Sequence, residues 1–368
     1  MAVSLDLGPD PSASVQDLLE ITGVRRRVEH KLAAFFLARR ASASSQAAED
    51  TLTGPIADLV LAGGKRIRAA MCYWGWRGAG GEDCEGVLAA AAALELLHGC
   101  ALIHDDVMDG SDLRRGRPAV HRQFAHLHAT RGWRGEPAEF GAAAAILAGD
   151  LCLVWADEML RLSGLPAVCL QRAGSVFNAM REETVRGQYL DLVTQAEGAF
   201  RVEDARRVAR AKTAASTTSG PLAFGAVLAG AKPALCEAYA RYAAHMGLAF
   251  QLRDDLLGAF GDPGQTGKPS GDDLRDGKCT VVLAQACRLG GAAVAQHIHD
   301  LVQQQSDTAV PELRAILIDT GARSYVEGVV ASLGDRAIAA IESAPIVDPQ
   351  ARRVLRGIAA ALTDPAVG

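Results

Sequence analysis

Helical patterning of apolar and polar positions extends along most of this chain, and two of the apolar stretches run into aspartates. Residues 86–104 are almost wholly apolar, long enough for a buried helix, and lead into Asp105-Asp106-Val107-Met108-Asp109. A later stretch, 233–260, contains Asp254-Asp255. Other predicted helical stretches are 140–163, 166–196 and 202–230. Because no clean run of alternating positions and no fixed-period repeat is present, the pattern predicts an all-α fold.

Glycine-rich, polar or proline-containing segments separate the predicted helices. Gly63-Gly64 interrupts the helical pattern, and residues 41–50 fit either a loop or a weak helix. Three further segments are predicted to be irregular: 110–118, 126–139 and 261–277. Residues 1–14, rich in Pro, Ser and Asp, are predicted to be disordered. The remainder, 15–365, is predicted to form one domain, a single helical bundle.

The first group of aspartates points to a divalent cation. On a helix, Asp105 and Asp109 stand one turn apart on the same face. Carboxylates crowded in this way repel each other and lose hydration when buried, so a cation normally has to sit between them. Oxygen ligands in acidic helical clusters suit Mg²⁺, which keeps several waters and completes its shell with one or two carboxylates and a phosphate. The sequence therefore predicts a pocket that holds a diphosphate through magnesium.

Basic residues interleaved with the two acidic clusters support a phosphate site. Lys65, Arg66 and Arg68 follow the Gly-Gly turn, where backbone N–H groups and side chains can both reach phosphate oxygens. Phosphate sites use both the planar fork of arginine and the compact charge of lysine. His98 lies two helical turns before Asp105 on the same face and is a candidate donor. The other basic candidates are Arg114, Arg115, Lys212, Lys268 and Lys278.

Composition narrows the classes of function. The chain has a hydrophobic fraction of 49% but only 5% aromatic residues, which favours an aliphatic helical core. The net charge of −5 argues against nucleic acid as the main partner. The apolar runs meet charges before the roughly 20 residues of a transmembrane segment, and no secretory signal is recognisable. The eight cysteines form no C-x-x-C pair and are interpreted as reduced core thiols, which predicts a cytoplasmic protein.

Several short motifs follow one another in order along the chain. They are Gly64-Lys65-Arg66-Ile67-Arg68, Glu95-Leu96-Leu97-His98, His104-Asp105-Asp106-Val107-Met108-Asp109-Gly110-Ser111, Arg114-Arg115-Gly116, Gly187-Gln188-Tyr189-Leu190-Asp191, Lys212-Thr213, Phe250-Gln251-Leu252-Arg253-Asp254-Asp255, Thr266-Gly267-Lys268 and Asp276-Gly277-Lys278. In this order they resemble the trans-isoprenyl diphosphate synthases, or polyprenyl synthetases, over residues 20–360. The resemblance implies the all-α isoprenoid synthase fold, with the active site in a central cavity between helices.

The resemblance also implies Mg²⁺ as the cofactor, with three ions in each active site. The first acidic cluster would bind two of the ions and the second cluster the third. The aspartates that would hold them are Asp105, Asp106, Asp109, Asp191, Asp254 and Asp255, with Gln188 beside them.

The basic residues are assigned by the same resemblance to two diphosphate substrates. The allylic diphosphate would be bound by Arg114, Lys212 and Lys268, and isopentenyl diphosphate by Lys65, Arg68, His98 and Arg115, with Lys278 as a further substrate-binding residue. The Lys212 carbonyl, Thr213 and Gln251 would face the developing carbocation. The glycine-rich loop 261–277, which carries Lys268, is the predicted lid over the site.

The implied reaction joins isopentenyl diphosphate head to tail to dimethylallyl, geranyl or farnesyl diphosphate. Cys100 and Ala101, about one turn below Asp105, are small, so the growing tail is expected to pass them and stop lower, near Leu97, Leu94 or a residue of a partner chain. This predicts geranylgeranyl diphosphate (C20) as the product. Farnesyl diphosphate (C15), longer products (C25 or more) and a pocket floor set elsewhere are the alternatives. A homodimer is expected, as is usual in the family.

Two other functions compete with this reading. A class I terpene cyclase also uses an aspartate-rich helix with magnesium, but it needs no second diphosphate site, so Lys65, Arg68 and Arg115 argue against it. A non-catalytic subunit of a heteromeric synthase would tend to lose an aspartate cluster, and both clusters are largely intact here.

Three positions depart from the pattern of the family. Gly258 stands where the second acidic cluster usually has its last aspartate. That position is dispensable if Asp254 makes the metal contact, and a weaker second metal site is the alternative. Ala69 replaces a usual proline, and Ser216 stands where some members place tyrosine.

Overall fold

The chain folds almost entirely into helices. The computed structural model describes residues 22–42, 47–261, 271–304 and 306–363. The predicted disordered segment 1–14 and Lys268 lie outside these residues. In order, the elements are α1 (Val24–Ser42), α2 (Ala47–Leu61), α3 (Ile67–Gly78), α4 (Glu85–Met108), β1 (Leu113–Arg114), β2 (Arg117–Pro118), α5 (Val120–Arg131), α6 (Pro137–Arg161), α7 (Ala167–Glu197), α8 (Val202–Val208), the π-helix π1 (Ala209–Ser219), α9 (Gly220–Leu228), α10 (Pro233–Phe260), α11 (Asp272–Arg275), α12 (Val281–Val302), α13 (Val310–Asp319), α14 (Ala322–Glu342) and α15 (Pro349–Thr363).

Helix α4 is the buried centre of the fold. Its first half is dominated by alanine and leucine, which are strong helix formers because they lose little side-chain freedom in a helix. This half is buried all round, and the helix packs mainly along α6 and against α3. The prediction of a buried helix that leads into the first acidic cluster is therefore confirmed.

Two hydrophobic clusters form the core. The larger cluster joins α1 to α7 with α9, the first half of α10, the end of α14 and α15. The smaller cluster joins α8, the second half of α10, α11, α12, α13 and the first half of α14. Because α10 and α14 run through both clusters, the described chain is one continuous helical bundle, and the all-α prediction is confirmed.

Some predicted boundaries are wrong. Residues 126–131 of the segment predicted to be irregular, 126–139, belong to α5. Gly132, directly after this helix, adopts a left-handed conformation with a φ of 61°. The polar sequence of α5 hides its buried side, where Phe124 and His128 pack toward α6. The predicted loop 110–118 contains a small antiparallel hairpin, β1 and β2. The described end of 261–277 includes the one-turn helix α11.

Two helices, α4 and α6, are long and apolar enough to cross a membrane by length and composition. In α4, 67% of the most apolar window is buried within the fold, whereas in α6 only 33% is. Helix α4 is thus a core helix. Helix α6 keeps an apolar face at the surface, where Ile146, Leu147 and Val154 are exposed.

A buried ion pair fixes the start of α3 against α4. The guanidinium of Arg66 donates to Glu95 at 3.0 Å and to the carbonyl of Val60 at 2.7 Å. The second carboxylate oxygen of Glu95 accepts from the Ala69 N–H at 3.3 Å. Arg66 has a φ of 49°, a conformation that is strained for a side-chain-bearing residue and persists only when its surroundings hold it. Arg66 therefore belongs to the core, although it lies in a basic run of the sequence.

We expect Glu95→Gln to destabilise the fold strongly. The substitution keeps the side-chain size but removes the nearer counter-charge of the buried Arg66 guanidinium and leaves only Glu29, at 3.6 Å, so the free energy of unfolding should fall by about 3 kcal/mol. Glu327, half-exposed and paired with Arg323 at 2.8 Å, provides the matched control. Glu327→Gln should cost less than about 1 kcal/mol. Chemical denaturation followed by circular dichroism measures both values, and equal losses would contradict the expectation.

Candidate active site

One stripe of α4 stays partly open while its neighbours are buried. The partly exposed residues on this stripe are Leu97, His98, Ala101, Leu102 and Asp105. Between them, Gly99, Cys100 and Ile103 are buried, and His104 is partly exposed but turns toward α6. The open positions recur every three or four residues and so share one face of the helix. Cys100 turns away from this face, because its sulfur lies 3.8 Å from Nδ1 of His104, whose Nε2 contacts the Ile146 carbonyl of α6 at 3.0 Å. Of the predicted floor residues, Ala101 and Leu97 thus share the face of Asp105, and Cys100 packs toward α6.

Lys212 joins two acidic residues from different helices. Its Nζ lies 2.9 Å from Oδ1 of Asp105 in α4 and 2.7 Å from Oδ2 of Asp191 in α7. Burial would raise the pKa of Asp105, but Lys212 and then Lys278 outweigh it and hold that pKa below its usual value. Burial likewise opposes the charged form of Lys212, yet the two carboxylates raise its pKa. The predicted metal ligands Asp105 and Asp191 are therefore brought together around one ammonium group.

A glycine allows this close approach. A Cβ on Gly187 of α7 would lie 2.3 Å from the backbone nitrogen of Lys212 and 2.4 Å from the carbonyl carbon of Ala211. Real Cβ atoms essentially never come so near to backbone atoms, so no larger residue fits unless the two helices separate. The glycine four residues before Asp191 thus sets the distance at which Lys212 can reach that carboxylate.

Two further cations hold the rest of the first cluster. Arg114, in the hairpin after α4, donates its Nε to Oδ1 of Asp106 at 2.9 Å, and a second guanidinium nitrogen contacts the same oxygen. Nζ of Lys278, before α12, lies 2.7 Å from Oδ2 of Asp109. Burial opposes the charge of Lys278, but Asp273 and Asp109 raise its pKa above the ordinary range. Each aspartate of the first cluster therefore has its own basic partner, which comes from a distant part of the chain for Asp105 and Asp109 and from the adjoining hairpin for Asp106.

The second group of predicted basic residues gathers on the other side of the site. The Arg68 guanidinium donates to Oγ1 of Thr217 at 2.7 Å, and burial lowers its pKa to about 10. Burial, followed by the charge of Arg253, also lowers the pKa of Lys65, while Asp254 acts in the opposite direction. The second acidic cluster is thus the anionic neighbour of this basic group.

His98 and Arg115 complete the same group. Burial holds the pKa of His98 well below its usual value, and the nearby guanidinium groups, led by Arg68, lower it further. Arg115 donates to the backbone carbonyls of Gly63 at 2.5 Å and Leu59 at 3.3 Å. His98 is consequently a neutral imidazole among cations, and Arg115 also braces the glycine turn that precedes Lys65.

The two aspartates of the second cluster differ. Asp254 is exposed, whereas Asp255 is buried. Oδ1 of Asp255 accepts from Nε2 of Gln251 at 2.7 Å, and Oδ2 accepts from the Val281 N–H at 3.2 Å. Burial raises the pKa of Asp255 to about 7, opposed by the Gln251 hydrogen bond and supported by the neighbouring carboxylates of Asp273 and Asp254. Gln251 was predicted to face the carbocation, but in this structure its side-chain amide is hydrogen-bonded to Asp255.

Hydroxyl groups line the wide turns of π1. Oγ of Ser216 donates to the carbonyl of Lys212 at 2.9 Å and contacts that of Thr213 at 3.3 Å. Thr218 and Ser219 both reach the carbonyl of Ala214, at 3.1 and 3.0 Å. Such π-helical turns are often found at functional sites, and here side chains bind carbonyls of the widened helix. Ser216 therefore fixes the Lys212 carbonyl that the family resemblance directs at the carbocation.

The donor set fits magnesium. In the described part of the chain, Oδ1 of Asp109 is buried and accepts no hydrogen bond, which leaves an oxygen for a cation. Among the same residues, no three acidic, histidine or cysteine side chains are grouped so as to hold a metal by themselves. A hard cation that takes one or two carboxylates and completes its shell with water and phosphate matches this arrangement.

Sequence reasoning missed three contacts of the site. Glu95 was recognised only as part of a motif, not as the partner of Arg66, and nothing in the sequence marks Thr217 as the acceptor for Arg68. Asp273 carries no local signal either, yet it lies beside both Lys278 and Gly258. Each contact joins residues that are distant in the chain or hidden in a polar run.

Comparison with known sequences finds relatives that agree with the family resemblance. A family model for polyprenyl synthetases matches residues 49–317. The geranylfarnesyl diphosphate synthase of Aeropyrum pernix is 32% identical over 311 residues, which cover 83% of this chain and 92% of that protein. The geranylgeranyl diphosphate synthase of Mycobacterium tuberculosis is 38% identical over 224 residues, which cover 61% of this chain and 58% of that protein.

Comparison with solved structures points to the same family. The geranylgeranyl pyrophosphate synthase of Corynebacterium glutamicum, complexed with isoprenyl diphosphate and magnesium, has a TM-score of 0.85 and 38% sequence identity. The match covers 96% of this chain and 99% of that one. The polyprenyl synthase of Caulobacter crescentus, complexed with calcium and isoprenyl diphosphate, has a TM-score of 0.76 and 28% identity, with 96% and 99% coverage. With its motifs, its paired acidic and basic clusters and its helical bundle, this chain belongs to the polyprenyl synthetase family.

Proposed function

We propose that this chain is a trans-prenyltransferase that condenses isopentenyl diphosphate head to tail with allylic diphosphates and gives mainly geranylgeranyl diphosphate and diphosphate. One observation carries the proposal. Two separate groups of cationic side chains adjoin the two acidic clusters, as a reaction between two diphosphate substrates requires. A class I terpene cyclase would need only one such group. Similar proteins are named as farnesyl, geranylgeranyl and geranylfarnesyl diphosphate synthases, so similarity alone does not set the length of the product.

The allylic diphosphate would lie against Arg114, Lys212 and Lys278. These three cations point at the carboxylates of the first cluster, and they can instead donate to phosphate oxygens that arrive with a metal. Bound Mg²⁺ would neutralise the departing diphosphate as a Lewis acid. Charge-assisted hydrogen bonds from the lysines and the arginine strengthen as negative charge grows on the leaving oxygen. Lys268 remains a predicted member of this set.

The metal would be held mainly by the first acidic cluster. Asp109 offers a buried oxygen that accepts no hydrogen bond within the described residues, and Asp105 shares the open face of α4. Asp254 is the exposed member of the second cluster, while both oxygens of Asp255 hold protein groups. The full proposed set is Asp105, Asp106, Asp109, Asp191, Asp254 and Asp255, for three ions. We place Asp255 last in it, because it would have to give up hydrogen bonds to bind an ion.

Isopentenyl diphosphate would lie against the second basic group. Burial is the main cause that lowers the pKa of Lys65, Arg68 and Arg115. A neighbouring cation lowers each pKa further, namely Arg253 for Lys65, Arg115 for Arg68 and Arg66 for Arg115, and a bound anion would offset this repulsion. His98 among them is neutral and can donate one N–H without adding charge. The proposed substrate therefore supplies the negative charge that these side chains lack.

The allylic cation would form between the two diphosphates. The carbonyl of Lys212, with Thr213 and Gln251, is proposed to face it, and Ser216 keeps that carbonyl in one orientation. Holding the double bond of isopentenyl diphosphate next to the cation makes the attack effectively intramolecular. The proton lost afterwards would pass to the released diphosphate, so no side chain needs to act as a dedicated base. The apolar stripe of α4 below Asp105 keeps water from the cation.

The open stripe of α4 also supports a C20 product. Ala101, one turn below Asp105 on the same face, is too small to stop the growing tail, and Leu97 follows one turn further down. Leu94, below that, is buried and closes the stripe. We therefore propose a floor near Leu97, with Cys100 in a packing role toward α6.

A homodimer would cover the exposed apolar face of α6 and α7. Leu147 and Val154 of α6 are 61% and 59% exposed, and Val185 and Tyr189 of α7 are both 69% exposed. Val154 also lines a groove between the two helices, together with charged residues such as Asp157, Arg161 and Arg181. Large apolar side chains exposed on a surface are typical of a protein interface, and self-association by a two-fold axis is its simplest form. The eight free cysteines agree with the proposed cytoplasmic location.

Purified protein incubated with Mg²⁺, isopentenyl diphosphate and a C5, C10 or C15 primer tests the activity. We expect Asp105→Asn to lower kcat by about 100-fold or more and to raise the Mg²⁺ concentration needed for half-maximal rate, because a metal-binding oxygen is lost. Asp112→Asn is the matched control, since Asp112 is 73% exposed and pairs with Arg122 at 2.6 Å. Wild-type protein that condenses no primer would instead favour the cyclase or the non-catalytic subunit.

Substitution of Ala101 tests the length of the product. Ala101→Phe should shorten the main product from C20 to C15, because the ring would fill the open stripe one turn below Asp105. Ala34→Phe, at an exposed position of α1, controls for the added ring. Mass spectrometry of the dephosphorylated products gives the chain length. A C20 product from Ala101→Phe would show that the floor is set elsewhere.

A charge on the apolar face tests the dimer. Val154→Glu should shift the protein from dimer to monomer, because the carboxylate would be buried without a partner at the interface. Ile318→Glu places the same charge at a 52% exposed position of α13, away from this face, and should leave the dimer intact. Sedimentation velocity at several protein concentrations measures both. A dimer that tolerates Val154→Glu, or a monomeric wild type, would exclude this interface.

A further inference from the structure

Two arginines at the start of α3 are held in different ways. Arg66 is paired inside the core with the carboxylate of Glu95 at 3.0 Å. Arg68, two positions later, donates to the hydroxyl of Thr217 in π1 at 2.7 Å. Among the residues that the structure describes, this is the one hydrogen bond of the Arg68 side chain, and its buried Nε donates to nothing. Arg68 thus has a neutral partner where Arg66 has an anionic one.

The neutral partner leaves the charge of Arg68 uncompensated. Buried charges are normally paired with an opposite charge, yet within the described ranges Arg68 forms no ion pair. Burial is the main cause that lowers its pKa, while Glu95 and Asp254 raise that pKa and Arg115 lowers it further. A hydroxyl acceptor can therefore fix the direction of the guanidinium and still leave its positive charge for an anion.

The π-helix gives Thr217 its place. Thr217 is fully buried in π1, where the backbone hydrogen-bonding pattern relates residues five apart. Lys212 stands five positions earlier, so the two side chains leave π1 on the same side. In an α-helix this spacing would turn Thr217 about 140° away from Lys212. One side of π1 thus reaches the first acidic cluster, through Lys212 and Asp105, and the second basic group, through Thr217 and Arg68.

We propose that Thr217 is a positioning residue that holds the Arg68 guanidinium in place for the diphosphate group of isopentenyl diphosphate. The neutral hydroxyl fixes the direction of the planar fork, and the remaining N–H groups of Arg68 are left to donate to phosphate oxygens. The inference rests on the proposed function, which assigns isopentenyl diphosphate to the second basic group. It adds a residue that acts only through Arg68.

Removal of the hydroxyl should weaken one substrate alone. Thr217→Val keeps nearly the same shape, and we expect it to raise the KM for isopentenyl diphosphate about tenfold, because the guanidinium loses its fixed direction. Both kcat and the KM for the allylic primer should stay within about twofold of wild type. Thr217→Ser keeps the hydroxyl and should stay within about threefold in all three constants. Steady-state rates with one substrate varied and the other saturating measure them.

The next residue provides the matched control, Thr218→Val. Thr218 is also fully buried in π1, but its hydroxyl contacts the carbonyls of Ala214 at 3.1 Å and Ala243 at 3.4 Å instead of Arg68. Its loss should leave all three constants within about twofold of wild type. A rise in KM equal to that of Thr217→Val would mean that any hydroxyl lost from π1 has this effect, and would contradict the proposal.

Binding measured without turnover tests whether Thr217 acts through Arg68. In isothermal titration calorimetry with isopentenyl diphosphate and no primer, Thr217→Val should have a Kd about tenfold above wild type, and Arg68→Met a still higher one. The double variant should bind no more weakly than Arg68→Met alone, since the hydroxyl has then lost the group that it positions. Losses that multiply in the double variant would overturn the proposal.

Inorganic diphosphate separates this inference from the proposed function. Titrated in EDTA without Mg²⁺, it can bind the basic side chains but not through a metal, and Thr217→Val should again raise the Kd about tenfold. If wild type condenses no primer, the proposed function fails, while these Kd values still decide the role of Thr217. Equal values for wild type and Thr217→Val, or a wild type that binds no diphosphate, would exclude that role.

Discussion

Negative charge concentrated at the ends of two helices is the constraint on which this structure depends. Asp105 and Asp106 lie in the last turn of α4, and Asp254 and Asp255 lie in the last two turns of α10. The helix dipole is also negative there, so each carboxylate costs about 0.3–1 kcal/mol in addition to mutual repulsion. Positive groups must be close by, and the chain brings Lys212 and Lys278 from segments that are far away in sequence and Arg114 from the adjoining hairpin.

The positions of those cations explain several otherwise unrelated features. Lys212 reaches its two aspartates because Gly187 lets α7 touch π1. Lys278 reaches Asp109 because the segment before α12 is attached to the acidic turn of α10. Arg114 reaches Asp106 because the short hairpin turns the chain back directly after α4. Close packing, a hydrogen-bonded helix start and a tight turn thus serve one electrostatic arrangement.

The sequence predicts the parts of this arrangement that are local. The long apolar run before Asp105 and the spacing of Asp105 and Asp109 depend only on helical periodicity, and the structure confirms that helix. Order and spacing of the motifs likewise sufficed to identify the family. Helix α5 was missed because its short buried side is masked by polar residues, so its helicity depends on packing against α6.

The parts that could not be predicted are tertiary. No spacing rule separates Arg66, which is buried against Glu95, from Lys65, which is only partly shielded and still reaches solvent. The pairing of Lys212 with Asp191 spans two elements, and the approach of Asp273 to Gly258 depends on how α11 is attached. The sequence shows Gly258 only as a missing aspartate, because the neighbouring carboxylate of Asp273 lies fifteen positions later in the chain.

The partly open stripe of α4 gives the helix a further property, that of a ruler. One turn of an α-helix rises 5.4 Å, and an extended unit of four chain carbons, with bonds near 1.5 Å, spans about 5 Å. Measured downward from Asp105, each successive turn of the stripe would therefore correspond to one five-carbon addition in the proposed reaction. The helix that anchors the charged end of the product would then also set the number of five-carbon units in the tail. Exchanging one side chain on the stripe would change the length of the product by whole five-carbon units.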